Sequence, residues 1–277
     1  MIPERGVGLP PLTGGLNYRQ DILTLRSNEG HVIRNCNIDR NGVASTRRGL
    51  RCLNPSAPLS TPVTGICQFS RSVGTGITRT VVVTAGTNIY TWSTVTNTFT
   101  DIGNLSNDTR PSMINFLTAA STSVLLIANG TDFYKYDGTT IANATAAFPS
   151  TSMPRYLMVY DNRLAASGCD NDPNVVFMSN LRDASTWVVT NYFMFESDMD
   201  RERVTGLGTM YSFLTVMKRN SVYIVTEGDP ASGTVKQLQV ASGYGTPSHW
   251  SLTTLGENLY FADDQSVYRG RLTELVQ

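Results

Sequence analysis

Charged side chains are scarce in this sequence. They make up 16% of the 277 residues, whereas soluble domains usually carry about 25%. Apolar residues reach 40%, which is enough for a folded core and argues against a disordered chain. The 22 basic and 22 acidic residues balance to zero net charge. This balance excludes a dedicated nucleic-acid coat protein or a polybasic membrane binder.

Long apolar runs, a leader segment and metal-like cysteine spacing are also missing. No run approaches the ~18 residues of a transmembrane helix. The opening residues, MIPERGVGLPPLTGG, lack the basic and apolar regions of a signal peptide. Without an export signal, the cysteines are expected to be free thiols rather than a disulfide framework. They are Cys36, Cys52, Cys67 and Cys169.

Histidine is rare, and this limits the chemistry that the chain can support. His31 and His249 are the two histidines, and neither accompanies a nucleophile-elbow motif. Both are expected in turns or at the surface. Two histidines and scattered cysteines do not build a metal site. We therefore predict no metal, no cofactor and no catalytic residue.

Two groups of acidic residues need a separate explanation. The Asp-Asn-Asp-Pro-Asn run at 170–174 resembles the start of a calcium loop, but the twelfth position is Leu181 instead of Glu. An Asx turn that closes a hairpin is the preferred interpretation. Glu196 with Asp198 and Asp200, and Asp263 with Asp264, offer carboxylate pairs like those of glycosidases. They fall in a predicted connection and a predicted turn, so a glycan hydrolase is only an alternative.

A repeat of about 45 residues runs through most of the chain. Five segments share an apolar run, a short turn and a second run that ends in an aliphatic–aromatic pair. Their aromatic anchors lie 44, 43, 46 and 45 residues apart. Such spacing puts the rings at equivalent positions in successive units, where we expect them to pack the units together. The rings are Tyr90, Tyr134, Phe177, Tyr223 and Tyr268.

Each repeat contains a predicted β-hairpin. The turns hold Gly, Asn or Asp, which tolerate the positive φ of tight hairpins. A weaker strand precedes most hairpins and another follows, which gives four strands per ~45 residues, the size of a propeller blade. The sequence therefore predicts an all-β protein: a β-propeller of five to six four-stranded blades with an extended N-terminal arm. A β-sandwich with coincidental spacing is the alternative fold.

The N-terminal residues differ from the repeats. Residues 1–30 are rich in Pro and Gly, which predicts an extended arm that is ordered only by a partner. Residues 31–277 form the predicted propeller. A hairpin around Asn41 and Gly42 is expected to pair with the last repeat near Val267 and Tyr268. Such pairing would close the ring and remove exposed sheet edges.

Three scattered stretches resemble one family. The first comprises Asn-Arg-Leu at 162–164, Gly168, Asp-Pro-Asn at 172–174, Val-Phe-Met-Ser at 176–179, and Trp187. The second comprises Gly-Gly-Leu-Asn at 14–17, then Asn35, Asp39, Gly42, Arg48 and Gly49. The third comprises Asn-Leu-Tyr-Phe at 258–261 with Val267 and Tyr268. Together they resemble the propeller-type tail nozzle, or head-stabilisation protein, of short-tailed bacteriophages.

The resemblance implies a structural role in the virion. In that family a ring of copies, a hexamer, lies below the portal and adaptor proteins and continues the DNA channel. It carries fibres, spikes or a needle, and viral DNA passes through it without sequence-specific contact. The implied location is the virion tail, assembled in the host cytoplasm. The resemblance implies no catalytic residue, and the chain is short for the family.

Arginine is concentrated near the N-terminus. Residues 1–55 hold eight Arg and four acidic residues, and Arg is enriched at protein interfaces. We predict that this segment docks on a neighbouring subunit or on the adaptor; contact with DNA phosphate is the rival interpretation. The predicted docking residues are Arg34, Arg40, Arg47, Arg48 and Arg51. For the whole protein, a carbohydrate-binding propeller module is the alternative function.

Overall fold

The structure of the protein is a computed structural model. This structure describes the backbone of residues 15–16, 29–30, 36–38 and 44–46. It also describes residues 59–73, 76–93, 95–145, 148–195, 202–227 and 236–270. The chain divides into two compact units, Met1–Leu53 and Asn54–Gln277.

The first unit contains four short strands among its described residues. Strand β1 (Gly15–Leu16) pairs in parallel with β2 (Glu29–Gly30). Strands β3 (Cys36–Ile38) and β4 (Ala44–Thr46) pair with each other in antiparallel fashion, on either side of the predicted Asn-Gly turn. Closure of the ring by this hairpin, and the boundary of the arm at residue 30, stay predictions.

Among its described residues, the second unit contains five antiparallel sheets that follow one another along the chain. Within each sheet the strands are hydrogen-bonded in sequence order. We call these sheets blades 1 to 5. Blade 1 contains β5 (Val63–Val73), β6 (Gly76–Ala85), β7 (Asn88–Ser93) and β8 (Thr98–Asn104). Blade 2 contains β9 (Ser112–Leu117), β10 (Ser123–Ala128), β11 (Phe133–Tyr136) and β12 (Ile141–Asn143).

The remaining blades repeat this pattern. Blade 3 contains β13 (Tyr156–Tyr160), β14 (Arg163–Ser167), β15 (Val175–Asn180) and β16 (Asp183–Met194). Blade 4 contains β17 (Val204–Met210), β18 (Phe213–Lys218), β19 (Ser221–Glu227) and β20 (Lys236–Ser242). Blade 5 contains β21 (Thr253–Leu255), β22 (Asn258–Ala262) and β23 (Val267–Gly270).

The first strand of each blade contacts the first strand of the next. Strands β5, β9, β13, β17 and β21 meet in that order, so the inner strands surround a common axis. This arrangement confirms the prediction of an all-β propeller. Among the described residues, blades 1 to 4 have four strands and blade 5 has three, within the predicted range of five to six blades.

The cores of the propeller lie between the blades. Four buried apolar clusters occupy the junctions of blades 1 and 2, 2 and 3, 3 and 4, and 4 and 5. The middle strands supply most of these side chains, because their alternating residues face a neighbouring blade on both sides. Leu126, Leu164 and Val216, for example, are completely buried. Burial of one such side chain contributes roughly 1.5–3 kcal/mol.

The hairpin turns form as their sequences predict. The β6–β7 turn places Gly86 at φ +55°, a left-handed conformation that favours glycine. In the β10–β11 turn, the Asn129 side-chain oxygen accepts hydrogen bonds from the backbone N–H groups of Thr131 and Asp132. These local bonds fix the turn and therefore the register of the strands that it joins.

Two strands extend beyond what the repeat predicts. Strand β5 has 11 residues and β16 has 12; β16 is the fourth strand that the prediction of four-stranded blades requires of blade 3. The β15–β16 pairing shifts register on both sides of Ser179: Phe177 pairs with Tyr192, Ser179 with Trp187 and Asn180 with Asp183. An irregularity of this kind leaves residues of β16 unpaired and does not appear as a hydrophobic period in sequence.

No α-helix occurs in the described part of the chain; His249–Ser251 forms a single 3₁₀ turn. Within the same residues, no helix is long and apolar enough to cross a membrane.

Candidate functional site at the propeller axis

The predicted docking arginines cannot be placed. Arg34, Arg40, Arg47, Arg48 and Arg51 all lie outside the described residues. Their role in docking therefore stays a prediction.

The five predicted packing rings all lie on the third strand of a blade. These strands are β7, β11, β15, β19 and β23. Phe177 is buried in the core between blades 2 and 3, and Tyr223 in the core between blades 3 and 4. Tyr134 and Tyr268 pack, partly buried, against the cores of blades 1–2 and 4–5. Each of these four rings therefore faces the preceding blade.

Tyr90, the ring of blade 1, is in a different environment. It is half-buried, and its edge contacts Phe99 of the same blade with ring centroids 6.1 Å apart. Trp92 also packs on Phe99, at 4.7 Å. This face of blade 1 is thus covered in part by its own aromatic side chains.

A cavity lies where the inner strands meet. Its volume is about 420 Å³, within the usual range of small-molecule sites. Leu157, Met158 and Leu252 give it apolar walls, while Ser112 and Thr254 add hydroxyl groups. Blades 2, 3, 4 and 5 all contribute to its lining, so the cavity lies on the propeller axis.

Arg110 and Trp250 meet at this cavity from opposite blades. Arg110 precedes β9 of blade 2, and Trp250 lies in the 3₁₀ turn before β21 of blade 5. The guanidinium carbon of Arg110 is 4.0 Å from the centre of the Trp250 ring. This is a cation–π contact, in which the ring face attracts the charge of the guanidinium without accepting a conventional hydrogen bond from it.

His249 lies beside this pair and is held in one orientation. Its Nδ1 accepts a hydrogen bond from the Leu207 backbone N–H, 3.4 Å away, so the neutral ring carries its proton on Nε2. The centre of the His249 ring lies 4.9 Å from the ring centre of Tyr156 and 5.0 Å from that of Trp250. Burial, with a smaller contribution from the Arg110 charge, lowers the pKa of His249 to about 4. His249 is therefore uncharged at neutral pH.

Close packing of inner strands positions the histidine. A Cβ atom at Gly206 would lie 2.6 Å from Leu252 Cδ1 and 3.2 Å from His249 Cα. The end of the Leu252 side chain could move, but the His249 backbone leaves a larger residue little room, so Gly206 favours the close approach of β17 to the 3₁₀ turn. The Gly-Leu-Gly stretch at 206–208, too short to be a nucleotide-binding fingerprint, therefore has a packing role.

The carboxylates of the acidic run at 170–174 are bound by other side chains of the protein. The Asp170 carboxylate binds Arg155 of blade 3 and Arg203, which precedes blade 4. Asp172 accepts a hydrogen bond from Ser150. In the described part of the chain, no group of three or more His, Cys, Asp or Glu side chains is placed to hold a metal ion.

A polar cleft of about 560 Å³ lies between the turns of blades 4 and 5. Tyr244, which is exposed, lines the cleft and contacts Tyr268 edge-on, with ring centroids 5.5 Å apart. Arg219 and Asp264 also line the cleft and pair with each other at 3.3 Å. Asp263 accepts two backbone hydrogen bonds in its own turn, and these lower its pKa. The carboxylates at 263 and 264 thus lie in a turn, as predicted.

Sequence reasoning did not identify the axial cavity. His249 lies in a turn, as predicted, but nothing in the repeat places it at the axis. Arg110 precedes the repeat's first strand and belongs to no motif. Trp250, which precedes the first strand of blade 5, likewise belongs to no motif, and it contacts a residue of blade 2. Contacts across the axis join residues about 140 positions apart, and no local pattern encodes them.

Comparisons with known proteins show distant similarity only. No family model matches the chain, and no curated protein matches it. A chain of the mitotic checkpoint complex matches with 14% identity and a TM-score of 0.44, covering 69% of this chain and 56% of its own. The extracellular domain of the putative one-component system BT4673 from B. thetaiotaomicron matches with 12% identity and a TM-score of 0.48, covering 71% and 27%.

A structure of BBS1N in complex with ARL6DN matches with 15% identity and a TM-score of 0.47, covering 82% of this chain and 70% of that chain. The present chain thus spans about half of the checkpoint chain and about a quarter of the BT4673 domain. We draw no functional conclusion from likenesses of this degree.

Proposed function

We propose that this protein is a structural component of the tail of a short-tailed bacteriophage. In this proposal, copies of the propeller form a ring, a hexamer, below the portal and adaptor proteins. The ring continues the DNA channel and carries fibres, spikes or a needle. It performs no catalysis.

The residues of the first resembling stretch act as structural elements of blade 3. The Leu164 backbone N–H donates to Ser179 Oγ at 2.9 Å, and Arg163 Nη1 donates to the Ser179 carbonyl oxygen at 3.0 Å. Trp187 packs against Phe133 and Phe148 of the junction with blade 2, with centroids 6.3 and 5.0 Å apart. A motif that stabilises a blade is compatible with a family that has no catalytic residues.

The outer strand of blade 3 is the observation that supports assembly most directly. Strand β16 has one strand partner among the described residues, β15, and it exposes large apolar side chains. The exposed side chains are Val188, Val189, Tyr192 and Met194. A long apolar edge strand invites pairing with another chain unless a partner covers it. A second copy of the protein is the partner that a ring assembly requires.

The axis of one propeller is too narrow for DNA. Arg110 and Trp250 line its cavity of about 420 Å³ and contact each other at 4.0 Å, so they leave no passage between them for a duplex whose major groove alone is about 12 Å wide. A DNA channel would therefore have to lie between copies of the protein. This is the geometry of a ring.

The mass of the protein in solution tests the proposal. We expect sedimentation analysis at micromolar concentration to find a ring of about six copies, and electron microscopy to show an open centre wide enough for duplex DNA. A Val189→Glu, Tyr192→Glu double variant should reduce the assembly to smaller species, because each carboxylate would be buried without a partner.

Val95→Glu is the matched control. Val95 is 93% exposed in the β7–β8 turn, so the same charge there should leave the assembly unchanged. A wild-type protein that stays monomeric at about 50 μM, far above the concentration a stable ring needs, would contradict the ring.

The polar cleft between blades 4 and 5 supports a second candidate function, carbohydrate binding. Tyr244 offers an exposed ring, and Arg219, Asp263 and Asp264 offer hydrogen-bonding groups around it. A small number of polar groups placed around an aromatic wall is typical of a small-ligand site. A glycan array would test this function, with Tyr244→Ala expected to abolish binding and Tyr192→Ala to leave it unchanged. Release of new reducing ends would instead indicate a hydrolase.

A further inference from the structure

We propose that the axial cavity binds a small organic monocarboxylate, whose carboxylate pairs with Arg110 and whose body enters the cavity. This site lies within a single propeller. It therefore does not depend on ring assembly or on the role proposed above.

The guanidinium of Arg110 is held but is not neutralised. Trp250 fixes it by a face contact at 4.0 Å, and such a contact uses none of the five N–H donors. In the described part of the chain, Arg110 forms no ion pair and donates no hydrogen bond. Its fork of donors at the rim of the cavity matches the two oxygens of a carboxylate.

The cavity has both apolar and polar walls. Leu157, Met158 and Leu252 supply apolar side chains. Thr254 donates its hydroxyl to the Thr209 carbonyl oxygen at 2.8 Å, so this polar group is already engaged. An aromatic or aliphatic ligand body would bury its surface against the leucine and methionine side chains.

The charge of the site favours one negative charge over two. His249 and Arg110 are the basic groups at the cavity, with Tyr156 packed on the histidine. Because the pKa of His249 is about 4, the histidine is neutral and Arg110 provides the single positive charge. A monocarboxylate balances this charge, while a phosphate dianion would leave an excess negative charge beside a single guanidinium.

Histidine NMR can detect binding directly at the cavity. The full chain labelled with ¹³C-histidine gives signals from His31 and His249, and the His249→Gln variant assigns them. Benzoate is the probe, and benzamide is its neutral isostere. We expect benzoate to shift the His249 signal in a saturable manner and to raise the pKa of His249, because a bound anion favours the imidazolium. Benzamide should bind at least about tenfold more weakly.

Variants of Arg110 separate recognition from folding. Arg110→Gln should weaken benzoate binding at least about tenfold, and Arg110→Lys should give a smaller loss, because lysine keeps the charge without the fork. Arg79→Gln is the control, since Arg79 is an exposed arginine on β6 of blade 1. Histidine NMR signals that match those of the wild-type protein before benzoate is added verify that each variant is folded.

Several results would overturn the proposal. They are equal affinity for benzoate and benzamide, wild-type affinity in Arg110→Gln, and a His249 signal that does not respond to benzoate. Tighter binding of inorganic phosphate than of benzoate would overturn the assignment to a monocarboxylate.

Discussion

Arg155 holds Asp170 by two hydrogen bonds, from Nη1 to Oδ1 at 2.6 Å and from Nη2 to Oδ2 at 2.9 Å. Arg203 adds a third, from Nη2 to Oδ1 at 2.9 Å. Because Arg203 directly precedes β17, the carboxylate connects the β14–β15 turn of blade 3 to the start of blade 4. The two guanidinium groups hold the pKa of Asp170 at about 2, below its ordinary value of 3.8.

The first prediction concerns this carboxylate and acid. A carboxyl whose pKa is depressed in the folded state stabilises the protein above its unfolded pKa, and this stabilisation is lost as the pH falls from about 4 towards 2. More than half of the Asp170 side chain is exposed, so screening reduces the contribution to about 1 kcal/mol. Asp170→Asn should lose about that amount at neutral pH, measured by urea unfolding.

The comparison over pH distinguishes this mechanism from a general loss of packing. Asp170→Asn should approach the stability of the wild-type protein as the pH falls towards about 2, because both then lack the charge. Asp264→Asn is the control, since its single exposed contact with Arg219 at 3.3 Å is worth less than about 0.5 kcal/mol. Equal losses in the two variants would contradict the prediction.

A second prediction concerns Ser179, a residue of the family resemblance. Its hydroxyl accepts from the Leu164 N–H and donates to the Asn180 carbonyl oxygen, and the residue is completely buried. Ser179→Ala leaves the buried N–H without a partner, so we expect a loss of about 1–3 kcal/mol in the free energy of unfolding. Ser185→Ala, at an exposed position on β16 of the same blade, should change it by less than about 0.5 kcal/mol. A Ser179 variant as stable as the control would show that this bond is unimportant.

The five repeat rings provide a third prediction. Phe177 and Tyr223 are each 6% exposed, so replacement by Ala should cost about 3–5 kcal/mol through lost burial and a residual cavity. Tyr90→Ala should cost less than about 2 kcal/mol, because this ring is half-buried and contacts Phe99 of its own blade. Denaturant unfolding of the three variants measures the difference. Equal costs would mean that Tyr90 also packs in an inter-blade core.

The hairpin repeats could be predicted from the sequence because the features of a hairpin are local. A hairpin needs a turn that tolerates positive φ and two runs of apolar residues, and both are readable within about 15 residues. The β10–β11 turn illustrates this, since Asn129 and Gly130 supply its hydrogen bonds and its conformation. Equal spacing then predicts the propeller, because identical units must pack in identical ways.

The candidate site could not be predicted from the sequence, because its contacts are long-range. The cation–π contact of Arg110 with Trp250 joins two residues that no period relates, and it forms only after four blades have been stacked. The burial that lowers the pKa of His249 also comes from separate blades, through Leu207 and Tyr156. Sequence marks such residues as ordinary turn positions, because their contacts are entirely long-range.

A fourth prediction uses two glycines to separate packing from backbone conformation. A Cβ at Gly245 would overlap the carbonyl oxygens of Lys218 and Arg219, and backbone atoms cannot move away as a flexible side chain can. Gly245→Ala should therefore cost at least about 3 kcal/mol. Gly256 has open space but a φ of +61°, so Gly256→Ala should cost only the left-handed strain, about 1–2 kcal/mol. Thermal or urea unfolding measures both, and a smaller loss at Gly245 would contradict this packing.

The last prediction concerns the two cysteines that the structure describes. Cys67 and Cys169 are both free thiols, as the sequence analysis expected for them. Burial, with a further contribution from the charge of Asp172, raises the pKa of Cys169 to about 12, and the residue has no exposed surface. Only the thiolate reacts with alkylating reagents, so at about pH 8 roughly one molecule in 10⁴ would carry the reactive form. Cys67 is half-buried on β5, and its pKa is raised by burial alone.

Iodoacetamide followed by peptide mass spectrometry should therefore label Cys67 before Cys169 in the native protein. In urea the two rates should become similar, because unfolding removes the difference in burial. Native labelling of Cys169 as fast as Cys67 would mean that the junction of blades 2 and 3, where Cys169 is buried, opens readily.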